Sequence, residues 1–201
     1  RQREFSIARE SNCWSIIRDL QMGSTAANGN LLVCQFPQTL ALEGSTNGLT
    51  IARSPVSCME AAVSNAYEGI LIYFSTPQIG ARDSLIDLCA DLNKNPLSRH
   101  THRCVSLEYR HRGLLTKLSE VGVTYVDIRL PNEAANPWRI WERSMAWDTI
   151  LRIESHLSQL CPFLHYEPIS ETNELITCGA YRNRMVLGGT RLRDVCQTET
   201  H

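Results

Sequence analysis

Gly69-Ile70-Leu71-Ile72-Tyr73-Phe74 is an almost wholly apolar run of aliphatic and aromatic residues, bounded by Glu68 and by Ser75-Thr76-Pro77. A run with no polar face cannot lie half in water. It predicts a strand covered on both sides, the central strand of a parallel sheet. Working outward, Leu31–Phe36 reads as a strand ended by Pro37, and Leu49–Arg53 as another. The link between them, 37–48, is short and carries Pro37, Gly44, Asn47 and Gly48, so a full crossover helix would be cramped there. Arg103–Glu108 and Val123–Arg129 supply two further strands after the central one.

Helical patterns separate these runs. Ser54 caps a helix containing Met59, Ala62, Val63 and Ala66. Ala81–Leu92 places Ala81, Leu85, Leu88, Cys89 and Leu92 on one stripe, and a polar loop, 93–102, follows it. Arg112–Glu120, with Leu114, Leu115, Leu118 and Val121 on one side, stops at Gly122. The order β, link, β, α, β, α, β, α, β over 31–130 predicts an α/β fold, a five-stranded parallel sheet in three α/β/α layers.

Two segments flank this domain. Residues 1–30 read as an amphipathic helix over 5–21, carrying Cys13, Ile16, Ile17 and Leu20, and then a polar linker. Residues 131–201 open with a linker-like run, with Asn136 as cap and Pro137 at the first helical position. A single long helix is expected over 138–160. Beyond it the tail, 161–201, shows no strong periodicity and one hairpin signal at Gly188-Gly189.

The 201 residues are 43% hydrophobic and 20% charged with a formal net charge of −1, which gives no global attraction for nucleic acid or an anionic membrane. No apolar run approaches the roughly 20 residues of a membrane span, and the start, Arg1-Gln2-Arg3-Glu4, has no apolar signal core. The eight cysteines are not spaced as in a small secreted disulfide scaffold. Together these features lead us to expect a reducing, cytoplasmic setting.

The element order resembles the receiver domain of bacterial two-component response regulators over about half the chain. In that family an acidic pair after the first strand holds Mg²⁺ and an Asp ending the third strand accepts the phosphoryl group. A Ser or Thr after the fourth strand and a Lys after the fifth sense it. Here the first strand ends Val33-Cys34-Gln35-Phe36 and the third ends Tyr73-Phe74-Ser75, both without an acid. The fourth offers Ser106 within the strand, and the fifth Arg129 before Leu130-Pro131. With no carboxylate cage and no acyl-phosphate nucleophile, the resemblance implies a pseudo-receiver without phosphotransfer. The expected role is then a non-enzymatic signalling or regulatory module acting through a protein partner.

A competing reading makes the chain a small-molecule or nucleotide binder, or an enzyme, using the C-terminal strand edge at Ser75, Thr76 and Arg129. Backbone amides after Ser75-Thr76-Pro77-Gln78 could cradle an anion, although an ordinary strand-to-helix turn has the same sequence. Cys161-Pro162, Cys178-Gly179 and Cys196 lie in a segment with little core of its own, where metal ligation would supply missing folding free energy. They resemble the cysteine-bearing tails of receiver-like and sensor proteins of some anaerobic bacteria. An iron–sulfur cluster is favoured over zinc because no close Cys pair exists, and His165 or His201 could complete the ligand set. A disulfide or plain buried thiols remain open.

Arg182, Arg184, Arg191 and Arg193 could gather on one face for phosphate or nucleic acid, a weaker reading because no aromatic interleaving accompanies them. His100, His102 and His111 sit in a basic neighbourhood and read as surface loop. Trp138, Trp141 and Trp147 either pack the long helix on the sheet or form a homodimer surface.

Overall fold

The computed structural model describes residues 30–130, 134–182, 185–192 and 196. The expected helix over 5–21 lies outside them. Five parallel strands, β1 (Leu31–Phe36), β2 (Leu49–Ala52), β3 (Gly69–Phe74), β4 (His102–Leu107) and β5 (Tyr125–Ile128), form one sheet in the order β2-β1-β3-β4-β5. This is the flavodoxin-like order of open α/β folds. The central strand is β3, paired in register with β1 from Leu31↔Gly69 to Phe36↔Phe74 and with β4 from Gly69↔His102 to Tyr73↔Ser106.

Alternate residues of each strand feed two cores, as a period of two requires. On one face Leu32, Cys34, Ile70, Ile72, Phe74, Val105 and Val126 pack under α1 (Pro55–Ser64), α2 (Arg82–Lys94) and α3 (Arg112–Glu120). The α1 cap is a full capping box, Ser57 N–H donating to Ser54 Oγ and Ser54 N–H to Ser57 Oγ. On the other face Leu31, Val33, Leu71, Tyr73, Cys104 and Tyr125 pack under α4 (Pro137–Met145) and the β1–β2 link. That link makes no helix, as its composition predicts. Leu40 and Leu42 pack from it, and Leu42 pairs with Ala135 as an isolated bridge.

The expected single helix over 138–160 is two helices. α4 ends at Met145 in a Schellman turn, with Trp147 N–H donating to Ser144 O (3.3 Å) and Asp148 N–H to Arg143 O (3.3 Å). Trp147 takes the left-handed conformation this motif needs, φ 58°. Asp148 then caps the next turn through Ile150 N–H and pairs with Arg143. The chain passes the β5 edge, where Ile153 N–H meets Thr124 O, and α5 (Ile153–Ser158) joins α3 on the first face. A straight helix would have stayed on one face.

The tail is also more regular than its sequence suggests. β6 (Leu164–Pro168), β7 (Glu174–Cys178) and β8 (Met185–Val186) make a three-stranded antiparallel sheet. Its tight connection is 169–173, closed by Ile169 N–H to Asn173 O and Asn173 N–H to Ser170 Oγ. The expected hairpin at Gly188-Gly189 is instead the start of a helical turn, Gly189–Arg191, because β8 pairs back on β7 and not forward. No helix among the described residues is long and apolar enough to cross a membrane.

Candidate functional site

The small sheet seats on the C-terminal strand edge through one face of β7. Glu174, Ile176 and Cys178 share that face by strand alternation. Glu174 pairs with Arg82 Nη1, at the first position of α2. Arg82 Nη2 and Nε also donate to Thr76 O, and Nη2 to Tyr109 Oη (3.3 Å). The two charged side chains are 10% and 9% exposed, so this is a buried ion pair with its remaining donors spent.

His111 completes the cluster. Its Nδ1 accepts from Leu114 N–H (3.0 Å), capping α3, which leaves the proton on Nε2. Nε2–H therefore donates to Glu174 Oε2 (3.1 Å). Burial, with the Arg82 charge adding to it, lowers the His111 pKa to about 4 against the pull of Glu174, so the ring is neutral at pH 7. Tyr166 of β6 stacks on it at 3.8 Å between ring centroids and accepts from Arg112 N–H. The surface-loop expectation for the histidines fails at His111, which is buried, and at His102, which stacks between Tyr125 and Trp141.

Ser75, Thr76 and Arg129 do come together, around Glu108. Ser75 Oγ donates to Glu108 Oε2 (3.1 Å), Arg129 Nη2 to Glu108 Oε1 (3.0 Å), and Glu108 N–H to Thr76 Oγ1 (2.9 Å). All three are buried. The amide an anion could have used, Ile79 N–H, donates to Glu171 O of the small-sheet turn (2.8 Å). This edge is a closed internal network, save that Arg129 Nε has no partner.

Cys161, Cys178 and Cys196 converge in one small core with Leu164 and Leu187, and Cys161 N–H donates to Cys196 O (2.9 Å). All seven described cysteines are thiols. Among the described residues no three His, Cys, Asp or Glu side chains form a metal-holding group. His165 lies on the β6 face opposite the one that Leu164 and Cys178 share, and His201 lies outside the described residues. Of the arginines, Arg182 is exposed in a left-handed turn (φ 55°), Arg191 sits in the helical turn, and Arg184 and Arg193 lie outside the described residues.

Trp141 packs on Gly69 and Trp138 Nε1–H donates to Ser45 O, so both belong to the sheet's cover. Trp147 alone of the three stands out, 67% exposed beside Met145 and Ile150. The sequence reading gave no site role to Arg82 or Glu174 and placed His111 in a surface loop. Arg82 carried a signal: it falls on the apolar stripe of α2, three residues before Leu85, where a charge needs a partner.

The fold and this docked edge define an open α/β protein with a small antiparallel sheet latched on its C-terminal edge. No protein-family model matches the chain, and no curated protein is significantly similar to it.

Proposed function

We propose that the chain is a non-enzymatic regulatory module, a pseudo-receiver whose small sheet responds to the state of a three-cysteine core and presents the result to a protein partner. One observation carries this reading. β7 bears Cys178 in the thiol core at one end and Glu174 in the Arg82–His111 latch at the other, on the same face. A change of bonding at the cysteines therefore strains or relaxes the strand that holds the latch. The internal bonds Ser75 Oγ–H to Glu108 Oε2 and Glu108 N–H to Thr76 Oγ1 also support a non-catalytic edge. A partner surface is suggested by Met145, Trp147 and Ile150, each of them exposed within six residues of chain.

Two chemistries are open to these cysteines, the second only after the thiols move closer, since no three described ligating side chains are grouped as they stand. Two thiols can yield a disulfide, losing two protons and two electrons to a small disulfide that becomes two thiols. Alternatively the thiolates ligate iron–sulfur or zinc with a further donor. Anaerobic purification of the full chain with iron, sulfide and zinc analysis separates them. Hydrogen exchange of β6–β8 is then compared between reduced, oxidised and metal-loaded protein. The expected result is altered protection across β7 and at Arg82 in one loaded state, abolished by Cys161→Ser and Cys178→Ser. Identical exchange in every state would overturn the reading.

A further inference from the structure

α1 and α2 lie side by side on the first sheet face, and a groove of about 540 Å³ runs between them. Val56, Met59 and Val63 wall it from α1 at a spacing of three and four residues, and Leu88 lines it from α2. Val56 and Val63 are 68% and 56% exposed, so this apolar stripe has an open side. The rim is acidic. Glu60, Asp87 and Asp91 line it, and of these only Asp91 has an ion pair among the described residues, with Lys94. An apolar floor between unpaired carboxylates suits a helix that is apolar on one side and carries a cation there.

We propose that this groove is the seat of residues 5–21 of the same chain, bound as the amphipathic helix that their sequence predicts. Most of a helix's stability in a protein comes from packing its apolar face, so the stripe of Cys13, Ile16, Ile17 and Leu20 requires a surface. Arg9 stands four residues before Cys13 on that stripe, and its guanidinium meets the acidic rim at Glu60 and Asp87. The chain also enters at the right place. Asn30, where the described residues begin, accepts through its carbonyl from Glu68 N–H (3.0 Å), four residues beyond the end of α1. Asn95 Nδ2 donates to Ala62 O (3.0 Å), which holds the C-terminal ends of α1 and α2 together at that same edge. Residues 22–29, extended, span about 26 Å. The groove beside the 10-residue α1 is about 15 Å long. The linker therefore reaches any point along it.

Cross-linking of the full chain tests this. A new thiol is placed in turn by Val56→Cys, by Val63→Cys and, in the exposed patch beside Trp147, by Ile150→Cys. Each variant is treated with a short bis-maleimide, digested and mapped by mass spectrometry. The described native thiols are buried save half-buried Cys178, and the parent chain gives their background. Cys13 should bridge, within a single chain, to the new thiol of the Val56→Cys or the Val63→Cys variant and not to that of Ile150→Cys. Adding Ile17→Asp should lower the yield by roughly tenfold, the loss expected when one aliphatic side chain gives up its burial. Arg9→Glu should lower it by about two- to fivefold, the worth of one exposed ion pair. A bridge formed preferentially in Ile150→Cys would overturn the proposal by seating the segment beside Trp147, and bridges only between two chains would overturn it by seating the segment on a neighbour. No bridge at either groove position would also overturn it, as would a yield that both Ile17→Asp and Arg9→Glu leave unchanged.

Discussion

Arg82 and Glu174, one at the start of α2 and the other at the start of β7, form a buried ion pair that joins the parallel sheet domain to the small antiparallel sheet. Replacing Glu174 with Gln leaves the Arg82 charge buried without its counter-ion. The expected loss is about 3–5 kcal/mol, the usual effect of removing one partner of such a pair. Arg82→Met combined with Glu174→Gln should recover part of it, because the buried charge is then gone. Urea unfolding of the two singles and the double measures this, and additive losses would show that the two residues do not act as a pair.

His111 makes the same latch acid-sensitive. Unfolded chain takes up its histidine proton near about 6.5, whereas folded His111 holds out to about 4. Between those values the unfolded state binds more protons, so stability is lost as pH falls from about 6.5 toward 4, by about 3 kcal/mol in all. His102 and His156, also shifted down by burial, add in the same direction. Urea midpoints at pH 7, 6 and 5 should fall in sequence, and His111→Asn should flatten part of that slope. A midpoint constant from pH 7 to 5 would contradict the burial of these rings.

Gly69 opens the central strand because Trp141 lies over it. A Cβ built there would stand 2.1 Å from Trp141 Cζ3 and 2.5 Å from Cε3. Gly69→Ala is expected to cost about 1–3 kcal/mol by overpacking. Adding Trp141→Leu should make the pair of changes less than additive. Equal losses with and without Trp141 would place the conflict elsewhere.

Trp147 holds a left-handed conformation while 67% exposed. Glycine is the preferred residue at this position of a Schellman turn, and a side chain there carries a penalty of about 1–2 kcal/mol. The Arg152 guanidinium, 6.0 Å from the Trp147 ring centroid, returns only a part of that. Trp147→Gly should therefore raise stability by about 0.5–1 kcal/mol in a thermal melt. A stabilised variant that also fails to capture a protein partner would mark Trp147 as kept for binding at the expense of stability.

The sheet was legible because β1, β3 and β4 are near-continuous apolar runs and the helices between them have clean stripes. The α4–α5 break was not, since Ile150, Leu151 and Ile153 continue an apolar face. The break comes from Asp148, whose carboxylate accepts from Ile150 N–H and from Arg143. β6 and β7 escaped notice because neither has a clean apolar alternation: β6 buries only Leu164 fully and β7 only Thr177. Ser75, Thr76 and Arg129 lie together at the strand edge because each bonds to Glu108, which the sequence showed only as a strand end.

The helix-free β1–β2 link has a consequence for how the protein is made. Ala135, Trp138, Ile140, Trp141 and Leu151 supply much of the described cover of one sheet face, and all of them follow β5 in the chain. On the ribosome, the five strands are complete in sequence before that cover has been synthesised. Leu31, Val33, Leu71 and Tyr73 must wait for it. A chain stopped at Leu130 would have every strand of the sheet and still be expected to stick to its neighbours through that uncovered face.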